Sequence, residues 1–159
     1  MDYLWSPWRY RYIASEGKSD GCVFCDAIAA NDDAETLVVF RGEKNFIILN
    51  RYPYTSGHVM VVPYTHLGEL SAVPPDTLSE MMRLAQRAQA ALEKTYHPEG
   101  YNLGMNLGRA AGAGIVGHLH LHVLPRWAGD ANFMTVVGET RVEPEELSTT
   151  YRRLRSVLA

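Results

Sequence analysis

Hydrophobic and polar residues follow two different periods along this chain, and together they predict a mixed α and β fold. Runs rich in Val, Ile and Phe have the composition of β-strands, whereas apolar residues from Leu78 to Leu92 recur at helical spacing. Strands are predicted over residues 36–40, 44–50, 57–63, 101–107 and 118–124, and further helices over residues 23–30 and about 143–157.

Boundary signals support this division of the chain. Thr77 and Glu80 have the spacing of a capping box at the start of the long helix, and Pro98 and Gly100 follow its end. Residues 41–43, Arg-Gly-Glu, are typical of a hairpin turn. Consecutive strands with one long helix between them predict an α+β fold, in which that helix packs on one face of an antiparallel sheet.

Length, charge and the first residues narrow the class of protein. With 159 residues the chain can bury a core without disulfides, so we expect a single domain over residues 1–159, with an aromatic arm over 1–20 and a C-terminal extension over 127–159. A net charge of -3 gives no reason to expect a nucleic acid or a membrane as partner. Because residues 1–9 lack the apolar run of a signal peptide, we expect a cytoplasmic protein.

Three histidines, His118, His120 and His122, alternate with leucines and indicate a functional site. On a strand, side chains two residues apart share a face at a separation of about 6.5–7 Å, so the three rings would meet one ligand while the leucines face a core. A helix would instead group His118 with His122. Pro125 and the aliphatic residues before it favour the strand.

A glycine-rich loop precedes these histidines. Five of the thirteen glycines fall within residues 104–117, and residues 100–129 contain Arg109 and Arg126 but no Asp or Glu. Glycine allows successive backbone N–H groups to turn toward an anion. Such a loop alone is a weak signal, but beside three histidines it predicts a phosphate site.

The histidines are compatible with two kinds of chemistry. They can bind a catalytic zinc that keeps one position open for water, or one neutral ring can attack phosphorus while its neighbour donates to the charged oxygens. Catalytic metal sites usually recruit carboxylates, and none lies nearby in sequence, so phosphate chemistry is favoured and a zinc-dependent hydrolase stays as the alternative. Cys22 and Cys25 form a Cys-x-x-Cys pair, which is half of a metal site or a redox pair.

Residues 118–124, His-Leu-His-Leu-His-Val-Leu, resemble the signature of the histidine triad family of nucleotidyl hydrolases and transferases. Residues 50–63 resemble the other core segment of that family, and residues 106–112 resemble its phosphate loop. Residues 5–9 and 125–134 are similar to a bacterial branch often described as diadenosine tetraphosphate phosphorylases or hydrolases. The resemblance therefore covers nearly the whole chain.

This resemblance implies a histidine triad type fold and cleavage of dinucleoside polyphosphates through a covalent nucleotidyl-histidine intermediate. It makes His120 the nucleophile and His122 the donor to the phosphate or leaving-group oxygens, with no organic cofactor. The implied partners are an adenine dinucleoside polyphosphate and a second copy of the chain, in a homodimer. The other implied nucleotide and phosphate contacts are Asn50 at the ribose, His58, Asn106, Gly112, Gly114 and Ile115. Resolution by phosphate or by water stays open, as do a nucleoside phosphoramidase and a nucleotide-binding module without turnover.

Some relatives also bind structural zinc, and the resemblance implies such a site at Cys22, Cys25, His66 and His118; the alternative is a reduced, unligated thiol pair. The chain departs from the family in its loop. Many members carry Gln-Ser or Gln-Thr after the Ala-Gly pair, whereas residues 113–116 here are Ala-Gly-Ile-Val and offer no hydroxyl. We expect backbone N–H groups freed by Gly112 and Gly114 to replace it.

Aromatic residues supply the last expectations. The arm over residues 1–20 is expected to dock on its own core or on a partner subunit, since no basic run accompanies it. Trp127 and Phe133 follow the histidines closely and border either the nucleobase pocket or the dimer contact.

Overall fold

A computed structural model of the protein describes residues 21–131 and 145–159, and the order of elements within them confirms the predicted α+β class. The helices are α1 Val23–Ala29, α2 Asp33–Thr36, α3 Pro75–Tyr96 and α4 Leu147–Leu158. The strands are β1 Val38–Arg41, β2 Asn45–Leu49, β3 Val59–Pro63, β4 Gly100–Gly104 and β5 Leu121–Arg126. The expectations for the aromatic arm and for Phe133 lie outside the described residues.

The five described strands form one sheet in the order β1-β2-β3-β5-β4, and every neighbouring pair is antiparallel, as predicted. His122 on β5 lies opposite Met60 on β3 and opposite Gly104 on β4, which places this histidine in the interior of the sheet. Within the part of the chain that the structure covers, no helix has the length and apolar character needed to cross a bilayer.

The two faces of the sheet bury different sets of residues. The main core contains the apolar side of α3, the long helix that the periodicity predicts, and that of α4, and it includes Ile47, Leu49, Val61, Met81, Leu92, Leu119, Leu121, Val123, Leu154 and Leu158. A smaller cluster on α1, β1, β2 and β3 consists of Phe24, Ala27, Val38, Phe46, Ile48, Met60 and Val62. Alternate residues of the histidine segment therefore pack in the main core, as the period of two predicts.

The predicted capping box at the start of α3 is wrong. The N-cap of this helix is Pro74, which caps with no side chain, and Thr77 is buried. The Glu80 carboxylate instead accepts hydrogen bonds from the backbone N–H groups of Glu43 and Lys44 at 2.7 and 2.8 Å. The carboxylate, which is itself buried, thus satisfies the backbone of the β1–β2 turn and also accepts from the Asn45 side chain at 2.7 Å.

Candidate active site

A cavity of about 490 Å³ lies between α1, the end of β2, β3 and the glycine-rich loop. Its wall includes seven residues predicted from the sequence: Asn50, Asn106, Gly112, Gly114, Ile115, His120 and His122. The rest of the wall is mainly apolar and is supplied by residues such as Phe24, Ala27, Leu37, Ile48 and Met60. An apolar pocket with a few convergent polar groups is typical of a small-molecule site.

The histidine segment differs in one respect from the predicted strand. β5 begins at Leu121, three residues later than predicted, so His118 and His120 precede the ladder. The N–H of Leu119 donates at 2.7 Å to the carbonyl of Leu67, outside the sheet. The side chains still alternate, and the ring centroids of His120 and His122 are 4.8 Å apart. One ligand can therefore reach both rings.

His120 is held in a single tautomer by its backbone neighbour. Its Nδ1 lies 2.9 Å from the carbonyl oxygen of His118, and a carbonyl only accepts, so the ring hydrogen is on Nδ1. Nε2 then carries a lone pair. Burial lowers the pKa of His120, which keeps the ring neutral and its lone pair available.

His122 is connected to a fourth histidine that does not line the cavity. The backbone N–H of Tyr54 donates to His58 Nδ1 at 3.2 Å, so the His58 hydrogen is on Nε2. His58 Nε2 lies 2.8 Å from His122 Nδ1, which must accept. A neutral His122 then carries its hydrogen on Nε2. The Tyr54 ring also stacks on that of His122 at 6.0 Å, with an interplanar angle of 24°.

The glycine-rich loop contains a single 3-10 turn, Arg109–Ala111, between Gly108 and Gly112, which both have positive φ angles of 80° and 85°. The N–H of Gly112 donates to the Arg109 carbonyl at 2.9 Å, so the expectation that this N–H is freed for phosphate is wrong. No described residue accepts from the N–H groups of Gly114 or Ile115, which lie in the same cavity wall. These two N–H groups remain as candidate phosphate donors.

Asn50 lies at the end of β2 and has its amide oriented by the chain that follows. Its Oδ1 accepts from the N–H of Tyr52 at 2.9 Å, so its NH₂ group is the part that can donate to a ligand. Asn106 lines the same cavity from the loop side. Trp127, by contrast, does not belong to the wall that the described residues form; it lies half-buried in a turn, where its N–H donates to Asp130 at 3.2 Å.

Cys22, Cys25, His66 and His118 converge beside the cavity and can hold a metal ion. Their ligand atoms all lie within 4.8 Å of one another. His118 Nδ1 is 3.3 Å from the sulfur of Cys22 and 3.6 Å from that of Cys25, and His66 Nδ1 is 3.4 Å from the sulfur of Cys25. Bond lengths of about 2.3 Å to sulfur and 2.0–2.1 Å to nitrogen put the ligands of a tetrahedral zinc roughly 3.3–3.8 Å apart. The donor set therefore fits zinc.

Two further contacts adapt this cluster to a metal. His118 Nε2 lies 2.8 Å from the carbonyl of Pro63 and donates to it, which leaves a lone pair on Nδ1 facing the sulfurs. Burial lowers the pKa of His118 and favours the neutral ring that a metal requires. Gly117 allows the His66 ring to approach, because a Cβ on Gly117 would lie 3.2 Å from His66 Nε2.

Two residues that contact the histidines of this region were not predicted from the sequence. Phe24 lies between the two cysteines in sequence, is 3% exposed, and has its ring centroid 5.4 Å from that of His118 and 5.1 Å from that of His120. Tyr54 contacts the His58–His122 pair through both backbone and ring. The position of Phe24 inside the Cys-x-x-Cys pair was the available signal, whereas nothing in the sequence marked Tyr54.

Comparison with known proteins gives concordant matches. The model of the HIT domain family matches residues 31–129. The chain is 40% identical over 162 residues to a protein named AP-4-A phosphorylase from Mycobacterium tuberculosis, covering 97% of this chain and 83% of that one. A Zn-bound histidine triad family protein from Mycobacterium smegmatis superposes with a TM-score of 0.70 at 34% identity, covering 87% of this chain and 93% of that one. A hypothetical histidine triad nucleotide-binding protein from Sulfolobus tokodaii gives a TM-score of 0.69 at 28% identity, with coverage of 86% and 91%.

Proposed function

This chain belongs to the HIT domain family, and from that premise we propose that it cleaves dinucleoside polyphosphates such as diadenosine tetraphosphate, with His120 as the nucleophile. The name of the Mycobacterium tuberculosis relative supports this choice of substrate. The observation that carries the proposal is the 2.9 Å contact from His120 Nδ1 to the His118 carbonyl, since it leaves a buried, neutral ring with a lone pair on Nε2.

In the first step, His120 Nε2 attacks the phosphorus next to one adenosine. The new N–P bond forms as the bond from phosphorus to the bridging oxygen breaks, and ATP leaves with that electron pair. His122 Nε2–H donates a hydrogen bond to the leaving or non-bridging oxygen, where negative charge increases. The N–H groups of Gly114 and Ile115, with the amide of Asn106, hold the phosphate, and the amide of Asn50 holds the ribose.

In the second step, inorganic phosphate or water attacks the same phosphorus. The N–P bond breaks, and its electron pair returns to Nε2 of His120. With phosphate, diadenosine tetraphosphate yields ATP and ADP; with water, it yields ATP and AMP. The neutral His120 is regenerated in both cases.

Cys22, Cys25, His66 and His118 would hold zinc as a structural ion. The Zn-bound relative from Mycobacterium smegmatis and the donor geometry of this chain support that assignment. With four protein ligands available, such an ion would be structural and would not bind substrate or water. The ion would therefore anchor the residues before β5 and take no part in the cleavage.

The protein acts as a homodimer that forms through β4. This strand lies at one edge of the sheet, and its Leu103 side chain is 44% exposed. An exposed edge strand is a template for pairing with a second copy. Light scattering of the wild type should give twice the chain mass, and Leu103→Asp should shift the protein toward the monomer; a wild-type monomer would contradict this assignment.

Incubation with diadenosine tetraphosphate, with and without inorganic phosphate, tests the activity directly. We expect ATP and ADP when phosphate is required, or ATP and AMP when water suffices. Tight binding without product would identify a binding module, and cleavage of adenosine 5′-phosphoramidate alone would identify a phosphoramidase.

His120→Ala tests the nucleophile. We expect this variant to lose turnover while it still binds AMP, since the cavity keeps its other contacts. Denaturation of the wild type at alkaline pH, where a histidine N–P bond is stable, should trap the labelled nucleotide on the protein during turnover, and His120→Ala should trap none. Undiminished turnover by the variant would overturn the covalent mechanism. Persistence of turnover after chelation, in protein that stays folded, would oppose the zinc-dependent alternative.

A further inference from the structure

The cavity wall has a buried part and a more exposed part, and the mechanism above leaves some exposed side chains without a role. The buried part contains the two catalytic histidines and the apolar residues Phe24, Ile48 and Met60. The exposed part includes Arg51 and Tyr52, which directly follow Asn50. Neither residue has a role in attack or in phosphate binding as derived so far.

Tyr52 presents an aromatic ring to solvent at the edge of a ligand cavity. Tyr52 lines the cavity and yet is 56% exposed. Its backbone is fixed, because the Tyr52 N–H donates to Asn50 Oδ1 at 2.9 Å. A fixed, exposed aromatic ring beside a nucleotide site is suited to stack on a base, since every nucleobase offers an aromatic face.

Arg51 supplies a charge that no described carboxylate neutralises. Its NH2 group donates to the backbone carbonyl of Glu35 at 3.3 Å, which is a neutral acceptor. Among the described residues of the cavity wall, Arg51 carries the only permanent positive charge and Asp26 is the only carboxylate. The Asp26 carboxylate is directed toward Gly21, because its Oδ2 lies 3.0 Å from the position of a Cβ there. Most of the five guanidinium N–H donors of Arg51 therefore remain for an anionic ligand.

We propose that Arg51 and Tyr52 form a second subsite, which holds the leaving half of a dinucleoside polyphosphate. Arg51 contacts the phosphates beyond the one that His120 attacks, and the Tyr52 ring stacks on the second base. This inference rests on the proposed function and names the part of the substrate that the buried wall does not accommodate. Its consequence is a preference for a leaving group that carries both a phosphate chain and a base.

The size of the cavity agrees with this division. A volume of about 490 Å³ falls in the lower half of the range for sites that enclose one drug-sized ligand, about 300–1,000 Å³. A dinucleoside tetraphosphate contains two nucleosides, so one of them must extend past the enclosed space. Arg51 and Tyr52 line the cavity where its wall is exposed, and they supply the two groups that this half of the substrate needs.

Three adenosine substrates separate the two contacts. Diadenosine tetraphosphate carries two bases and four phosphates, adenosine 5′-tetraphosphate carries one base and four phosphates, and adenosine 5′-phosphoramidate carries one base and one phosphate. The measurement is kcat/KM for each substrate, in the wild type and in Tyr52→Ala, Tyr52→Phe and Arg51→Gln. Met82→Ala and Arg152→Gln are matched controls, since Met82 is 53% exposed on α3 and Arg152 is exposed on α4, and neither lines the cavity.

For Tyr52→Ala, we expect the preference for diadenosine tetraphosphate over adenosine 5′-tetraphosphate to fall at least about fivefold, the lower limit for loss of one base–aromatic stack. Tyr52→Phe should keep that preference. For Arg51→Gln, the kcat/KM values of both tetraphosphates should fall relative to that of the phosphoramidate. Neither control should change any of these ratios.

The two proposals fail in different ways. If the wild type leaves diadenosine tetraphosphate intact, the proposed function fails, whatever the variants do. If the wild type cleaves it but Tyr52→Ala lowers kcat/KM for all three substrates equally, Tyr52 belongs to the site of the first nucleotide and the second subsite is wrong. Ratios that stay unchanged in both Tyr52→Ala and Arg51→Gln would also overturn the inference, provided that both variants retain the wild-type melting temperature.

Discussion

The Nε2 atom of His58 lies 2.8 Å from Nδ1 of His122, and both rings are buried. Because the Tyr54 N–H occupies the other nitrogen of His58, this contact determines which nitrogen of His122 carries its hydrogen. The hydrogen-bond donor of the proposed reaction is therefore set by a residue that does not line the cavity.

His58→Phe tests this dependence. The substitution keeps a ring of similar size but removes the donor to His122, so we expect kcat to fall by about tenfold, which corresponds to the ~1.4 kcal/mol of one buried hydrogen bond. KM for diadenosine tetraphosphate should change less. The control is His97→Asn, because His97 is exposed at the left-handed C-cap of α3, a conformation that Asn tolerates. A normal kcat in His58→Phe would show that His122 does not depend on this contact.

Removal of zinc should weaken nucleotide binding. α1 has seven residues, too few for a stable isolated helix. It begins directly after Cys22 and contains Cys25, both proposed zinc ligands, and it supplies apolar residues to the cavity wall. In chelated protein we expect Kd for AMP to rise at least about fivefold, ~1 kcal/mol, by calorimetry, and the melting temperature to fall. Re-addition of zinc should reverse both changes. An unaltered Kd in protein shown to be metal-free would separate the cluster from the cavity.

Gly68→Ala should destabilise the segment that leads to the histidines. A Cβ at Gly68 would lie 2.8 Å from the carbonyl oxygen of Val116, so the backbone must shift. We expect the free energy of unfolding to fall by about 1–3 kcal/mol in urea titrations. Gly104→Ala is the matched control, because a Cβ there has no atom within 4 Å. Equal stabilities for the two variants would contradict this account.

Glu80 should make stability depend on pH. Burial acts to raise the pKa of its carboxyl group, but hydrogen bonds from Asn45 and from the backbone of Glu43 and Lys44 outweigh it, and the pKa is lowered overall. A lowered pKa in the folded state stabilises the fold above the unfolded value of about 4.3, and this stabilisation is lost as the pH falls through the folded value. Wild-type stability should therefore decrease below about pH 4.

Glu80→Gln should lower the free energy of unfolding by about 1–3 kcal/mol at neutral pH and should reduce that decrease in acid. Glu99→Gln, at an exposed position, should change neither quantity. If Glu80→Gln loses stability in acid to the same extent as the wild type, other carboxyl groups cause that loss.

The elements most strongly determined by local pattern were predicted best. α3 and the antiparallel strands were predicted from the spacing of apolar residues, which is regular over the whole of each segment. The start of β5 was predicted three residues early, because the strand can continue only while a partner strand lies beside it, and Leu119 bonds to Leu67 outside the sheet. α2 was missed because it has four residues and depends on Asp32, which accepts from the N–H of Glu35 at 3.2 Å.

Most residues of the candidate site were predicted from the sequence, but the contacts between them were not. The His118–cysteine contacts span more than 90 residues of sequence, and the resemblance to a family rather than any local pattern assigned them. The hydrogen bond from His58 to His122 and the stacked Tyr54 depend on how the loop between β2 and β3 packs against β5, which single-sequence patterns do not encode. The role expected for the Gly112 N–H failed for the same reason, since this N–H closes the turn that Arg109 begins.

Histidine and leucine alternate over residues 118–122, so the packing of the core and the geometry of the site depend on the same register along the chain. The leucines pack in the main core and the histidines form the site, so a point substitution disturbs one set at a time. Insertion or deletion of a single residue here would exchange the two sets, burying imidazoles among aliphatic side chains and turning leucines toward the ligand. We therefore expect changes of length in this part of the gene to be tolerated better in the glycine-rich loop before His118 than within the triad itself.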